Sequence, residues 1–320
     1  MVTLVIAKHP PYAWRSPLIP CIILFLNING DLMVKIGEWK GKKILAVLAH
    51  PDDETFGMGG TLALYARRGV QVDLVCATRG EVGEVDEKYL ADIKSTACLR
   101  TQELKQAAAI LGLNEVIFLN YRDSGMAGSP DNLHPNALAA QPIGEVAGKV
   151  AHIIRKVKPE VVITFDPIGG YRHPDHIAVH QATVLGFKMA AGEEAFNDPD
   201  DLEPFQAQYL YFHTINRGFI KMAVAVMKLL GKDPHKFGKN KDIDIADLAG
   251  VNFPTHVRIN YRKVAGIREQ AVACHASQGG EAMGKGIQGL ISRLANSSKD
   301  SFMQAYPLIE GKIAKRKDLF

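Results

Sequence analysis

The chain has 320 residues, 47% of them hydrophobic and 22% charged, and its formal net charge is +4. These values are ordinary for a globular protein with one large domain or two modest ones. The excess of 38 basic over 34 acidic residues is too small to indicate a nucleic-acid partner. The 4 cysteines form no C-x-x-C pair, which argues against a disulfide framework or a cysteine zinc site and favours a cytoplasmic protein.

The first forty residues carry no regular pattern. The apolar run at residues 18–26 is interrupted by Pro20 and is too short to span a bilayer, so no stable membrane insertion is expected. Met33 lies just ahead of the first convincing strand and is a candidate for the true start of the protein. Residues 1–32 would then be an upstream extension from a wrongly assigned start. We expect residues 1–40 to be an N-terminal extension outside the native fold, and residues 41–320 to form a single domain.

From residue 43 the pattern becomes regular. Apolar, β-branched runs of strand length occur at residues 44–48, 70–77, 116–119 and 161–165, and helical patterns lie between them at residues 61–68, 95–111 and 142–157. Continuous apolar runs indicate strands covered on both faces, and the alternation of strand and helix implies right-handed crossovers. We therefore predict an α/β fold, with a Rossmann-like, mostly parallel sheet and helices on both faces.

The second half of the chain predicts a helical and strand elaboration of this domain. A helix is expected from residue 176 to about residue 189, a polar loop at 192–204, a strand at 209–214 and a helix at 219–230. Residues 231–247 are rich in Lys, Asp and Gly and predict a mobile surface insert. A short strand at 255–259 and a helix at 262–275 follow, and the basic run at 312–317 predicts a solvated helix or a frayed end.

Two short motifs place histidines and carboxylates directly after predicted strands. His50 and Asp53 lie three residues apart after the first strand, and His173 and His176 repeat that spacing after the fourth. The carboxyl ends of strands meet in one crevice of an open α/β sheet. One carboxylate and two histidines would complete a catalytic zinc site, which keeps a position open for water. The alternative, that His50 and Asp53 only cap the next helix, does not account for three acidic residues beside the histidine.

The motifs AHPDDE at residues 49–54 and YRHPDH at residues 171–176 resemble those of the PIG-L/LmbE family of zinc-dependent N-acetylsugar deacetylases. Further matches are TRGE at 78–81, YRDSGM at 121–126 and HASQ at 275–278, in the order expected of that family. The resemblance implies a single catalytic domain with a Rossmann-like fold, which removes acetyl or related acyl groups from amino sugars. The YRDSGM stretch is most similar to the mycothiol-type branch.

The same resemblance implies roles for individual residues. The metal ligands would be His50, Asp53 and His176. Asp52 would be the general base. Apart from the resemblance, Glu54 is expected to orient a metal ligand without binding the metal itself. His173 would stabilise the oxyanion as an imidazolium, Asp175 would orient that imidazolium, and Tyr171 would approach the reacting carbonyl. The family implies zinc, although the donor set by itself also accepts ferrous iron.

Five polar residues on other loops are candidate substrate contacts: Arg79, Glu81, Arg122, Asp123 and His275. A local ion pair is the alternative for the arginines and their acidic neighbours, and a helix-terminal histidine is the alternative for His275. Ser124 lacks a nucleophile elbow, which argues against a serine hydrolase. The glycines at residues 57–60 lack the pattern of a nucleotide-binding loop.

We therefore predict a zinc-dependent hydrolase that removes an N-acetyl group from a small amino-sugar conjugate and releases acetate and a free amine. The alternatives are the same chemistry on another N-acyl substrate or thiol conjugate, and a non-catalytic Rossmann-like binding module. The presence of all candidate ligands and of a candidate base argues against the binding module, since binding alone requires no base. No organic cofactor is expected, and the sequence is compatible with a homo-oligomer.

Overall fold

The structure is a computed structural model, and it describes residues 39–91, 93–215, 217–236, 244–280, 298–309, 311 and 314–320. All of these residues belong to one compact unit, Val34–Phe320. The predicted extension over residues 1–40 lies outside the described residues except for its last two positions. None of the described helices combines the length and the apolar character that crossing a membrane requires.

Seven strands in the described part of the chain form one mixed sheet. Their bounds are β1 Lys43–Leu48, β2 Gln71–Cys76, β3 Glu115–Phe118, β4 Val161–Phe165, β5 Tyr209–Thr214, β6 Val257–Asn260 and β7 Lys299–Tyr306. The order across the sheet is β3-β2-β1-β4-β5-β7-β6. The first five strands are parallel, and β7 pairs antiparallel with both β5 and β6. The predicted mostly parallel α/β sheet is confirmed.

Helices cover the sheet in two groups. Their bounds are α1 Asp53–Arg67, α2 Thr96–Leu111, α3 Ile143–Val157, α4 Gly169–Arg172, α5 Pro174–Ala191, α6 Arg217–Leu229, α7 Ile245–Leu248 and α8 Ala265–Cys274. The helix α3 packs on α5, whereas α1 packs on α2 and α8. The central strands β1 and β4 are buried almost throughout, because their continuous apolar runs are covered on both faces.

The strands β1 and β4 are neighbours in the sheet although they are distant in sequence, with Ile44 aligned to Val161 and Ala46 to Ile163. From β1 the chain continues to β2 and β3 on one side, and from β4 it continues to β5 on the other. Open α/β sheets bind ligands at such a reversal, outside the carboxyl ends of the strands. Both histidine motifs follow these two strands and therefore reach the same crevice.

Some elements differ from the sequence prediction, among them α1 and β7. The helix predicted at residues 61–68 begins earlier, as α1, directly after Asp52. The strand β7 was not predicted, because the buried polar residues Asp300, Ser301 and Gln304 interrupt its apolar pattern. Its pairing with β5 on one side and β6 on the other supplies the stability that its local sequence does not indicate.

The C-terminal segment also differs, since the described part of the basic run, residues 314–317, is neither helical nor frayed, although most of it is exposed. Arg316 forms a parallel bridge with Val257, and Leu319 is fully buried. Phe320 stacks on Trp39 with ring centroids 5.0 Å apart. Leu319 and Phe320, the apolar residues that follow the basic run, explain why this segment packs against the rest of the protein. In the predicted surface insert at 231–247, residues 237–243 lie outside the described part of the chain, whereas Ile245 at its end is buried and begins α7.

Candidate metal centre and active site

The donor atoms of the three predicted metal ligands converge at the end of β1 and the start of α5. His50 Nδ1 lies 3.2 Å from His176 Nε2. The Asp53 carboxylate places one oxygen 3.3 Å from His176 Nε2 and the other 3.6 Å from His50 Nδ1. The ring of His176 stacks on Phe165, the last residue of β4, with centroids 3.9 Å apart, which helps to fix the direction of its Nε2.

The electrostatics of these residues suit a cation. Burial and the neighbouring His50 lower the pKa of His176 to about 4 despite the nearby Asp53, so its neutral imidazole can offer a lone pair. Burial alone would raise the pKa of Asp53, but His176 and His50 lower it well below its ordinary value. Burial alone would lower the pKa of His50, whereas Asp123, Asp175 and Asp53 raise it. Two imidazoles and a carboxylate are donors that zinc and ferrous iron accept, so the residues fit a divalent metal.

His173 lies beside these donors but is held differently. As the N-cap of α5, it accepts the backbone N–H of Asp175 at Nδ1, at 3.1 Å, which leaves the ring proton on Nε2. Burial and repulsion from His50 and His176 lower the pKa of His173 to about 2. This direction favours a neutral imidazole over the imidazolium expected from the sequence. In this arrangement His173 is a neutral hydrogen-bond donor through Nε2–H.

The Asp175 carboxylate contacts His50 rather than His173, which corrects the orienting role predicted for it. Its Oδ2 lies 3.1 Å from His50 Nε2 and accepts the Ser124 backbone N–H at 2.9 Å. The Ser124 hydroxyl donates to Oδ1 and accepts the Ala139 N–H at 2.9 Å. A carboxylate behind a histidine fixes the tautomer and orientation of the ring. Asp175 therefore directs His50 Nδ1 towards His176, and Ser124 holds Asp175.

Asp52, the predicted base, occupies the turn between β1 and α1. Its φ of 122° lies in a region that residues other than glycine rarely adopt. Its backbone N–H donates to Glu54 Oε2 at 3.0 Å, and its carboxylate accepts from Arg100 Nη2 at 3.1 Å. Burial and the neighbouring Asp53 raise the pKa of Asp52 to about 6, against the attraction of Arg100. This carboxylate is ionised at neutral pH and can still take up a proton.

Arg100 of α2 is a site residue that no motif predicts. Its side chain is 5% exposed, and it also donates to the Pro51 carbonyl at 2.7 Å and the Gly80 carbonyl at 3.2 Å. Gly80 has a φ of 66°, and a Cβ there would lie 2.0 Å from Arg100 Nη1. The available signal is an arginine close to Leu99 and Leu104, both buried apolar positions of α2.

Tyr171 belongs to α4, and its ring contacts two histidines of the site. Its ring lies edge-on to His176 and His173, with centroids 4.9 Å and 5.9 Å away. Burial and the nearby Asp53 raise the pKa of its hydroxyl above the ordinary value, so the hydroxyl stays protonated and can donate. Gly169 allows α4 to lie close to α5, since it has a φ of 64° and a Cβ there would lie 2.8 Å from His176 Cβ.

The predicted substrate contacts divide into two groups. Asp123 reaches the cluster, with Oδ1 3.5 Å from His50 Nε2, and Glu81 supports it by accepting its backbone N–H at 3.0 Å. Arg79 instead packs on Phe118, with 3.9 Å between guanidinium carbon and ring centroid. Arg122 forms an ion pair with Asp131 at 2.6 Å. This is the local ion pair that was the alternative to a substrate contact. No described contact joins either arginine to the histidines.

His275 does not line the crevice as a substrate contact would. It is fully buried, and its Nε2 lies 2.8 Å from Glu54 Oε1. Burial alone would lower the pKa of His275, but Glu54 raises it above its ordinary value. Glu54 therefore contacts His275 and the Asp52 backbone, and no described side-chain contact joins it to a candidate metal ligand.

Known proteins resemble this chain in sequence. The model of the family described as PIG-L, GlcNAc-PI de-N-acetylase, matches residues 45–185. Two similar curated proteins are both named 1D-myo-inositol 2-acetamido-2-deoxy-α-D-glucopyranoside deacetylase. The one from Streptomyces scabiei is 33% identical over 74% of this chain and 76% of its own length. The one from Kineococcus radiotolerans is 46% identical over 48% of this chain, and the match spans only 46% of that relative.

Solved structures share the fold at lower identity. The N,N′-diacetylchitobiose deacetylase from Pyrococcus horikoshii aligns with a TM-score of 0.56 and 20% identity, over 82% of this chain and 83% of that one. A 4-carboxy-2-hydroxymuconate hydratase from Pseudomonas putida aligns with a TM-score of 0.54 and 19% identity, over 85% of this chain and all of the other (100%). The fold therefore accommodates more than one reaction. On the sequence matches, together with the buried histidine and aspartate cluster, the chain belongs to the PIG-L/LmbE family of N-acetylsugar deacetylases.

Proposed function

We propose that this protein is a zinc-dependent deacetylase whose substrate is an N-acetylglucosaminyl inositol or a closely similar amino-sugar conjugate. The observation that carries the proposal is the convergence of His50 Nδ1, His176 Nε2 and the Asp53 carboxylate, at 3.2 to 3.6 Å, beside Asp52. The names of the curated relatives support the inositol conjugate as the substrate class. The products would be acetate and a free amine.

His50, Asp53 and His176 would hold the metal. When bound, the metal supplies Lewis acidity, which activates water near neutral pH and polarises the acetyl carbonyl. Asp175 would keep His50 in the required orientation through its contact with Nε2, at 3.1 Å. Ser124 would keep Asp175 in place in turn.

Asp52 would act as general base and then as general acid. Its pKa of about 6 leaves it ionised at neutral pH, so that it can accept a proton from the attacking water. The same carboxyl group, once protonated, can deliver that proton to the departing amine. Arg100 would keep the carboxylate directed into the site through its hydrogen bond at 3.1 Å.

His173 and Tyr171 would stabilise the negative charge that develops on the carbonyl oxygen. Both are donors in the required protonation state, since His173 carries its proton on Nε2 and the Tyr171 hydroxyl stays protonated. One donor at such a position is typically worth about 10²–10³ in turnover. A neutral donor suffices for this role, and no imidazolium is needed.

The test is acetate release from a panel of substrates, with metal-stripped protein reconstituted with zinc or with ferrous iron. The panel contains N-acetylglucosaminyl inositol, free N-acetylglucosamine and an N-acyl thiol conjugate without a sugar. We expect the highest kcat/KM with the inositol conjugate and almost no turnover by Asp52→Asn. Faster cleavage of the sugar-free conjugate would instead support a general amidase, and no acetate from any member would refute the deacetylase.

A further inference from the structure

We propose that His275 is a positioning residue of the deacetylation site, which acts through Glu54 to hold Asp52 in its working conformation. The inference rests on the proposed role of Asp52 as the base. His275 lies 221 positions from Glu54 in the sequence and touches neither the candidate metal ligands nor Asp52 through any described hydrogen bond. Its positional influence on Asp52 would therefore pass through Glu54, beside a direct electrostatic interaction between His275 and Asp52.

The contact between His275 and Glu54 is a buried hydrogen bond. Nε2 of the histidine donates to Glu54 Oε1 at 2.8 Å, and both side chains are fully buried. A buried carboxylate oxygen that loses a donor cannot replace it with bulk water. The Thr55 hydroxyl also donates to Oε1, so the carboxylate has two donors on this oxygen.

The second oxygen of Glu54 supports the base. Glu54 Oε2 accepts the backbone N–H of Asp52 at 3.0 Å, and that residue has a φ of 122°. A non-glycine residue persists in such a conformation only where its surroundings determine it strongly. One carboxylate therefore joins His275 on one side to the strained Asp52 peptide on the other. Rotation of this carboxylate after loss of the His275 donor would release that peptide.

His275 is itself held by contacts remote from the metal cluster. Its carbonyl accepts the backbone N–H groups of Gln278 at 3.1 Å and Gly280 at 2.9 Å. The following turn is tied to α2, because Ser277 donates to Glu103 through its N–H at 2.8 Å and its hydroxyl at 2.7 Å. The histidine is thus a fixed donor supplied by the C-terminal end of α8.

This arrangement predicts a particular kinetic result. Loss of the His275 donor should displace the Asp52 carboxylate while the metal donors stay in place, because their described contacts do not include His275. The effect should fall on kcat rather than on KM or on metal content. A displacement of about 1 Å at a catalytic group can cost about 10²-fold in rate.

The experiment compares three substitutions of His275 in the full-length protein, assayed with zinc and N-acetylglucosaminyl inositol. His275→Gln places an amide donor near the position of Nε2, whereas the amide of His275→Asn is too short to reach Glu54, and His275→Leu has no donor. Ser277→Ala is the matched control, since it loosens the same turn without touching Glu54. Zinc content and Tm are measured for every variant, and Asp52→Asn serves as the reference.

We expect kcat to fall about 10²-fold in His275→Asn and His275→Leu, with KM and zinc content unchanged. His275→Gln should recover most of that loss, and Ser277→Ala should lower Tm with little change in kcat. Wild-type kcat in folded His275→Asn or His275→Leu would overturn the proposal, as would loss of zinc or failure of both to fold. An equal loss of kcat in Ser277→Ala would also overturn the proposal, because the effect would then belong to the turn as a whole.

The wild type and Asp52→Asn distinguish a failure of this inference from a failure of the proposed function. A wild-type protein that releases no acetate refutes the proposed function itself. Full activity in Asp52→Asn refutes the base assignment and removes the ground on which the role of His275 rests. Loss of activity in Asp52→Asn with normal activity in the His275 variants overturns the positioning role alone.

Discussion

Asp52 is held in its unusual backbone conformation by one neighbour that is local in sequence and one that is distant. Glu54 accepts its N–H, and Arg100 donates both to its carboxylate and to the preceding carbonyl. Strain of this kind is common at catalytic groups, where the surrounding structure determines one geometry at some cost in stability. The position of Asp52 therefore depends on packing between α1, α2 and α8 as much as on the local motif.

The two histidines of the second motif should respond differently to removal. His176→Ala removes a donor that lies 3.2 Å from His50 Nδ1, so we expect metal content to fall well below that of the wild type. His173→Ala removes a ring whose Nδ1 caps α5, so we expect metal to stay bound while kcat falls about 10²–10³-fold. Elemental analysis together with kcat checks both results. The reverse outcome for metal would exchange the two assignments.

Gly80 should tolerate no side chain, because Arg100 fills the space. In Gly80→Ala the new Cβ would lie 2.0 Å from Arg100 Nη1, which must then move away from Asp52. Gly128→Ala is the control, since Gly128 has a similar positive φ of 88° and nothing within 4 Å of the added Cβ. We expect Gly80→Ala to lower the free energy of unfolding by about 1–3 kcal/mol more than the control, and to lower kcat as well. Equal effects in urea unfolding would show that Arg100 needs no such space.

Sequence alone predicted that the residues of the two motifs lie together, but not which contacts they make. The two motifs lie after β1 and β4, so their residues could be assigned to one crevice from strand order and spacing. The pairing of Asp175 with His50, and not with His173, depends on how the N-terminus of α5 faces β1. Likewise Arg100 carries no spacing signal, since it reaches the site across the interface between α2 and the turn after β1.

At the level of elements, the antiparallel strand β7 is anchored to α1 by one buried carboxylate. Asp300 Oδ2 accepts the backbone N–H of Thr61 at 3.0 Å and its hydroxyl at 2.6 Å. Such polar contacts explain why the apolar patterns that predicted β1 to β5 gave no indication of β7. After β5 the pairing becomes antiparallel, because β7 lies between β5 and β6. That pairing depends on the neighbouring strands rather than on the local sequence of β7.

The same carboxylate should make stability depend on pH. Burial raises the pKa of Asp300 to about 6, against the Thr61 donors and Arg268. A raised value in the folded state means that the group favours folding below its unfolded value, near 4, and that this contribution is lost as the pH rises through about 6. Asp300→Asn keeps an oxygen acceptor for Thr61 and removes the titration. The variant should therefore gain stability relative to the wild type as the pH rises.

We expect that gain to grow between pH 4 and pH 7.5, to at most about 3 kcal/mol, the equivalent of the change in pKa. Urea unfolding of both proteins at several pH values measures it, and comparison of the two cancels the contribution of all other groups. A difference that does not change with pH would show that Asp300 titrates normally.

At the level of the whole molecule, the C-terminal segment contributes to the hydrophobic core that the sheet and α1 form. Leu319 is fully buried, and its N–H donates to the Tyr65 hydroxyl at 2.8 Å. Leu319→Ala should lower the free energy of unfolding by about 2–4 kcal/mol, because it leaves a cavity. Leu308, 84% exposed, is the matched control, and Leu308→Ala should stay within about 0.5 kcal/mol of the wild type. Similar values for the two variants would contradict the docking of the segment.

The fold alone does not identify the reaction, since a hydratase and a deacetylase both share it. We propose that His50, Asp53 and His176 hold the metal on which deacetylation depends. The most direct measurement is acetate release from N-acetylglucosaminyl inositol while metal-stripped protein is titrated with Zn²⁺. We predict no acetate before metal is added, a rise to a plateau at about one equivalent, and no such rise in His176→Ala. Equal acetate release with and without metal would contradict the account.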